Sequence, residues 1–158
     1  MSGARRARVS AGLLMFRRRA GESLEVLLVH PGGPFFAKKD EGAWSIPKGV
    51  IEHENEELLA RAKIEFEEEL GVAPASESLI GLGSVKQKGG KTVHGWAFEG
   101  DFTGPARSNT YKCEWPPRSG QWRTFPEIDD AQWFDVETAR KKINMAQAAF
   151  LDRLIEKL

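Results

Sequence analysis

The stretch "KIEFEEELG", Lys63 to Gly71, decides how this chain is read, because it places four glutamates in the five positions 65 to 69 with only Phe66 between them. At about 100° per residue, Leu59, Ala62, Phe66 and Leu70 fall on one side of a helix and form an apolar stripe to be buried. Glu65, Glu68 and Glu69, spaced i, i+3 and i+4, share a different face, and Glu67 points elsewhere. Like charges at that spacing destabilise an isolated helix by about 0.2–0.5 kcal/mol per pair, so something must offset the repulsion. One explanation is a solvated acidic face relieved by salt and by Arg61, four residues before Glu65. The other is a divalent cation. Clustered carboxylates with water match hard Mg²⁺ or Mn²⁺ and lack the Cys and His ligands typical of zinc.

The flanks favour the cation. Upstream, "WSIPKGVIEHENEE" (44–57) offers Gly49, whose carbonyl can approach a metal because no side chain blocks it, and Lys48, able to meet phosphate. Downstream, Gly71 supplies a helix stop, so the spacing predicts a helix from about Glu56 to Leu70.

Further out, "VSAGLLMFRRR" (9–19) and "LEVLLVHPGG" (24–33) read as two strands close to a hairpin, joined by the turn-like "AGES" (20–23). Residues 32–49 are rich in Gly, Pro and Lys and end in a short strand around Trp44 to Ile46. Strands are expected in "SLIGLGSVKQK" (78–88) and "VHGWAFEGDF" (93–102), with Gly89 and Gly90 at the turn between them. A long polar loop covers 103–130, followed by the short strand "AQWF" (131–134). Asp135 is placed to cap "VETARKKI" (136–143), and Asn144 to cap a last helix from Met145 towards Leu158. The order implies an α+β fold: a mostly antiparallel or mixed sheet, one central helix and helices near the C-terminus.

With 158 residues the chain has room for one domain, 1–158, with residues 1–7 expected to be a flexible terminus. Lys plus Arg and Asp plus Glu both number 23, which argues against a long nucleic acid or a membrane surface as partner. The single Cys113 cannot form an internal disulfide, and no apolar run is long enough to span a membrane. A reducing, cytoplasmic setting is therefore expected.

The segment from Gly49 to Val72 resembles the box of the Nudix hydrolase family. That box reads Gly, five residues, Glu, seven residues, Arg-Glu, an aliphatic or aromatic residue, any residue, Glu-Glu, any residue, Gly, aliphatic. Gly49, Glu56, Glu65, Phe66, Glu68, Glu69, Gly71 and Val72 match it in type and order, with "IPKG" in front as the family often has it. Two positions depart: six residues separate Gly49 from Glu56, and Ile64 stands where the family has Arg. In the family that Arg helps hold the glutamates. Arg61, lying between Glu65 and Glu68 on the wheel, is the expected replacement.

The resemblance implies a mixed-sheet αβα sandwich and a Mg²⁺- or Mn²⁺-dependent pyrophosphohydrolase, in which water attacks phosphorus of a diphosphate linked to another moiety. The substrate would be a nucleoside triphosphate, a dinucleoside polyphosphate or a related nucleotide derivative, and the protein a monomer or homodimer. Carried over by position, Glu68 and Glu69 become metal ligands with the Gly49 carbonyl, while Glu65 either ligates metal or acts as the base. A further acid often completes such a site, and Glu99, Asp101, Glu114 and Glu127 are candidates. Glu127 is favoured, because in the diadenosine-polyphosphate-hydrolysing branch a glutamate stands six residues before the Trp of a similar short strand, as Glu127 stands before Trp133. Surface turn chemistry is the other reading of Glu127.

For the substrate, Lys48 ranks first among the lysines, ahead of Lys38, Lys39, Lys86, Lys88 and Lys91. Of the five tryptophans, Trp44, Trp96 and Trp133 lie in strand-like runs and are expected in the core. Trp115 and Trp122 lie in the long loop and are the candidates for stacking a base. His30, His53 and His94 show no metal-ligand spacing. The competing function is a Nudix-fold module that senses a nucleotide without cleaving it, suggested by Ile64. Retention of all three glutamates on the acidic face favours hydrolysis.

Overall fold

A computed structural model of the chain describes residues 8–18, 23–74 and 78–158. The expected flexible terminus at 1–7 and most of the "AGES" turn lie outside the described residues. Among the described residues, eight strands are present: β1 (Val9–Arg18), β2 (Leu24–Pro31), β3 (Lys48–Val50), β4 (Ile80–Gln87), β5 (Lys91–Glu99), β6 (Thr110–Glu114), β7 (Trp122–Pro126) and β8 (Ile128–Asp135). The helices are α1 (Leu58–Leu70), α2 (Val136–Lys142) and α3 (Ala148–Lys157).

The main sheet runs β4-β5-β1-β2-β8, with β3 also paired to β1. The β1–β5 ladder is parallel and the other described pairings are antiparallel, giving the mixed sheet expected from the element order. Central strands are covered on both faces, which is why β1 and β2 are nearly continuous apolar runs. Alternate residues then serve opposite layers. Ala11, Leu13, Met15, Leu27 and Val29 pack with Ala62, Phe66 and Leu70 of α1, whereas Leu14, Phe16, Val26 and Leu28 pack with Phe150, Leu151 and Leu154 of α3. The result is an αβα sandwich. Phe66 anchors the acidic helix, fully buried and edge-on to Phe98 at 5.3 Å, and truncating such a residue to Ala typically costs about 3–5 kcal/mol.

Several boundaries differ from the expectation. Helix α1 starts at Leu58 because the Glu56 carboxylate is taken up outside it, accepting from the Glu52 N–H at 2.7 Å and from Arg61 Nε at 2.5 Å. Gly71 does end it, in the left-handed conformation that favours glycine (φ 82°). Within Trp44 to Ile46, only Trp44 and Ser45 form isolated bridges, to Ile143 and Val29, and the regular strand falls at Lys48–Val50. The supposed loop 103–130 contains the two-stranded β6–β7 sheet and the start of β8. Asn144 caps a single 3₁₀ turn, Met145–Gln147, before α3, accepting from the Ala146 N–H at 2.9 Å. Among the described residues, no helix is long and apolar enough to cross a membrane.

Candidate active site

The site forms where α1 crosses the β3 segment. Gly49 pairs with Ala11 of β1, which fixes its height over the sheet. The Glu65 carboxyl then fills the space beside it: a Cβ on residue 49 would lie 2.0 Å from Glu65 Cδ and 2.1 Å from Oε1. Glycine is required by this approach alone. The other Glu65 oxygen, Oε2, accepts from Arg61 Nη1 at 3.0 Å. Arg61 is only 8% exposed, and its Nη2 also reaches Glu52 at 3.1 Å. Arg61 thus reaches Glu65 as expected, with Glu52 and Glu56 as its further partners.

The three glutamates on the acidic face are not equivalent. Glu69 is buried, and its Oε1 has no hydrogen-bond partner. Burial first, then the charges of Glu65 and Glu127, push its carboxyl up to about 8, against the opposing pull of Lys48. Glu65 is half-buried; desolvation raises its carboxyl above the usual range against the Arg61 hydrogen bond, and Glu68 and Glu127 add to the rise. Glu68 stands exposed at the rim, and Glu67 is exposed on the bystander side. Lys48 is half-buried, and desolvation lowers its ammonium while Glu69 and Glu65 hold it charged. Its charge is felt by Glu69, so the lysine ranked first does belong to this cluster.

Glu127 lies at the β7–β8 junction. Its carbonyl accepts from the Gly32 N–H and its N–H donates to the Asn109 carbonyl, both at 2.8 Å, and its carboxylate is near enough to act on Glu65 and Glu69. Among the described residues, no three His, Cys, Asp or Glu side chains close round one point: Glu65 Oε2 is turned to Arg61 and Glu68 faces outward. The donor set still suits a hard divalent cation, through the unpartnered buried Glu69 oxygen and the side-chain-free backbone at Gly49 beside Glu65.

The two stacking candidates separate. Trp122 lies in β7 and is 66% exposed, whereas Trp115 is partly buried with its ring edge-on to Phe35 at 5.4 Å. Phe35 is not among the sequence candidates, although "PFF" in a Gly- and Pro-rich loop is the signal that marks it. Trp44 is buried and Trp96 and Trp133 partly so, as their strand positions imply. Lys38, Lys39, Lys86, Lys88 and Lys91 are exposed, and of these Lys91 acts on Lys48. Of the other acidic candidates, Asp101 pairs with Arg17 at 2.6 Å and Glu114 accepts from the Gly120 N–H at 2.9 Å. His30 is buried between Asp129 Oδ1 at 2.8 Å and the Lys39 carbonyl at 2.6 Å, while His53 is exposed.

The NUDIX domain family model matches residues 6–154, and the chain belongs to that family. Membership places it in the class of Nudix pyrophosphohydrolases, in agreement with the box. In fold it is similar to a C. elegans Ap4A hydrolase determined as a binary complex, at 21% identity over 96% of this chain and 97% of that one, with a TM-score of 0.65. The NUDIX domain of Shewanella oneidensis NrtR complexed with ADP ribose is similar at 15% identity, 96% and 88% coverage and a TM-score of 0.64. The C-terminal domain of mouse MUTYH, in complex with human PCNA, is similar at 19% identity, 96% and 90% coverage and a TM-score of 0.61. No curated protein matches by sequence.

Proposed function

We propose that this protein is a Mg²⁺- or Mn²⁺-dependent pyrophosphohydrolase of nucleoside triphosphates or dinucleoside polyphosphates, acting as a single domain in the cytoplasm by water attack on phosphorus. The observation that carries this reading is the buried Glu69, with an unpartnered oxygen, set among Glu65, Glu127 and Lys48. A buried carboxyl so crowded by like charge suits a site whose charge is completed by a cation.

Glu68, Glu69 and the Gly49 carbonyl are the assigned metal ligands. Glu65 serves as a further ligand or as the base that takes the proton of the attacking water, its free Oε1 being the oxygen not held by Arg61. A bound divalent ion would neutralise charge on the phosphoryl oxygens and acidify water. Lys48, whose charge acts on Glu69 and Glu65, is assigned to meet a phosphate oxygen, and Glu127 to complete the acidic set. Trp122, with Trp115 and Phe35 beside the β6–β7 sheet, offers ring faces for a base. Two proteins of similar fold, an Ap4A hydrolase and a NUDIX domain complexed with ADP ribose, support a nucleotide or nucleotide derivative as the substrate class.

The test is a substrate panel of nucleoside triphosphates, dinucleoside polyphosphates and nucleoside diphosphate sugars with Mg²⁺ or Mn²⁺, read as released phosphate or pyrophosphate. Cleavage of one class supports the proposal. Tight nucleotide binding with no turnover on any of them would replace it with the sensor reading.

A further inference from the structure

Resting on the hydrolase reading above, we propose that Arg61 has taken over the positioning work of the box arginine missing at 64, and that it also clasps the loop preceding the helix. The guanidinium puts each nitrogen on a different carboxylate: Nε on Glu56 at 2.5 Å, Nη1 on Glu65 at 3.0 Å and Nη2 on Glu52 at 3.1 Å. A planar fork can do this; an ammonium cannot hold three carboxylates in fixed directions. Position 64 is 43% exposed in this chain and holds an apolar side chain that can make no ion pair.

The clasp divides the two oxygens of Glu65. Oε2 is held by Arg61, so rotation of the carboxyl is stopped with Oε1 set against Gly49. The same guanidinium fastens Glu56, whose other oxygen accepts the Glu52 N–H, and thereby ties residues 52–56 to the helix as one unit. An arginine at 64 would stand i, i+4 to Glu68, whereas Arg61 stands i, i+4 to Glu65. Here the positioning group spans two segments, and the six-residue spacer between Gly49 and Glu56 is the part it fastens.

The test uses the full chain and three variants: Arg61→Ala, Arg61→Lys, and Arg61→Ala combined with Ile64→Arg. Mn²⁺ affinity is measured by calorimetry without substrate, amide exchange of Glu52 and Glu56 is followed in the metal-free protein, and kcat and KM are measured on the best panel substrate. Arg61→Ala is expected to weaken Mn²⁺ binding at least ten-fold, speed exchange at both amides at least ten-fold, and lower kcat with little change in KM. The double variant should recover Mn²⁺ affinity and kcat to within a few-fold. Arg61→Lys, which keeps the charge and the fold, should hold affinity within a few-fold yet still free the loop. Wild-type affinity and loop protection in Arg61→Ala would overturn the proposal, as would wild-type loop protection in Arg61→Lys. So would a folded double variant that recovers no Mn²⁺ affinity. If the unaltered protein cleaves nothing on the panel, the hydrolase reading fails on its own, while Mn²⁺ binding and loop exchange still decide the clasp.

Discussion

The carboxyl carbon of Glu65 lies 2.0 Å from the point a Cβ on residue 49 would occupy. Any side chain at 49 must therefore displace Glu65 or lift β3 from β1. Gly49→Ala is expected to lower kcat/KM by about 100-fold, the order of loss that a 1 Å misplacement of a reacting group produces. Steady-state kinetics, with circular dichroism to confirm that α1 persists, would check it. Unchanged turnover would mean that the Glu65 position is irrelevant to the chemistry.

Glu67 and Glu68 are adjacent and both exposed, so their substitution separates chemistry from stability. Glu68→Gln should cut kcat by several orders of magnitude, because it removes a ligand charge from a preorganised site. Glu67→Gln should stay within two-fold of the unaltered protein, and both should melt within a degree or two of it. Equal activities in the two variants would refute the assignment of Glu68.

The buried Glu69 makes a signed prediction about pH. Its folded carboxyl sits at about 8, whereas the unfolded chain releases the same proton near the ordinary glutamate value of about 4.3. Between those values the folded state binds more protons than the unfolded one, so stability falls as pH rises and levels off above about 8. Metal-free protein should lose melting temperature between pH 5 and 8 relative to Glu69→Gln, in which this contribution is absent. Added Mg²⁺ should offset the loss most at the alkaline end, where the cation no longer competes with the proton. Calorimetric scans of both proteins across that range, with and without Mg²⁺, are the measurement; parallel profiles would contradict it.

Trp122 is exposed while Trp115 leans on Phe35, so only the first can be removed without disturbing a packed pair. If the base stacks on Trp122, Trp122→Ala should raise KM for a nucleoside triphosphate about ten-fold, consistent with stacking worth about 1–3 kcal/mol. The KM for inorganic tripolyphosphate, which has no base, should not move. Equal shifts for both compounds would show that the effect is not stacking.

Elements with a buried face were legible in the sequence, and those without one were not. Helix α1 announced itself through Ala62, Phe66 and Leu70, and β1 and β2 through apolar runs that a two-sided sheet requires. Strands β6 and β7 have no buried residue, and the one short alternation there, Tyr111 and Cys113 between Thr110, Lys112 and Glu114, is too brief to stand out from its polar flanks, so the sequence reads as loop. The start of β8 was hidden by Asp129 and Asp130. The acidic face was readable from spacing, but the ranking within it was not. Glu69 has Lys48 of a separate segment brought against it, and the wheel holds no information about that approach. Likewise, Arg61 could be paired with Glu65 by its i, i+4 spacing, while Glu52 entered only through the path of the loop.

Strands β6 and β7 hydrogen-bond to each other and form no ladder with the six strands that carry β3 and support α1. The consequence is a matter of inheritance. If the base stacks on Trp122 as proposed, changes of composition towards the tip of that hairpin can exchange what is recognised while leaving the register beneath Glu65, Glu68 and Glu69 untouched. In such a molecule the appetite for substrates drifts quickly and the chemistry slowly, and two descendants with the same acidic helix need not share a diet.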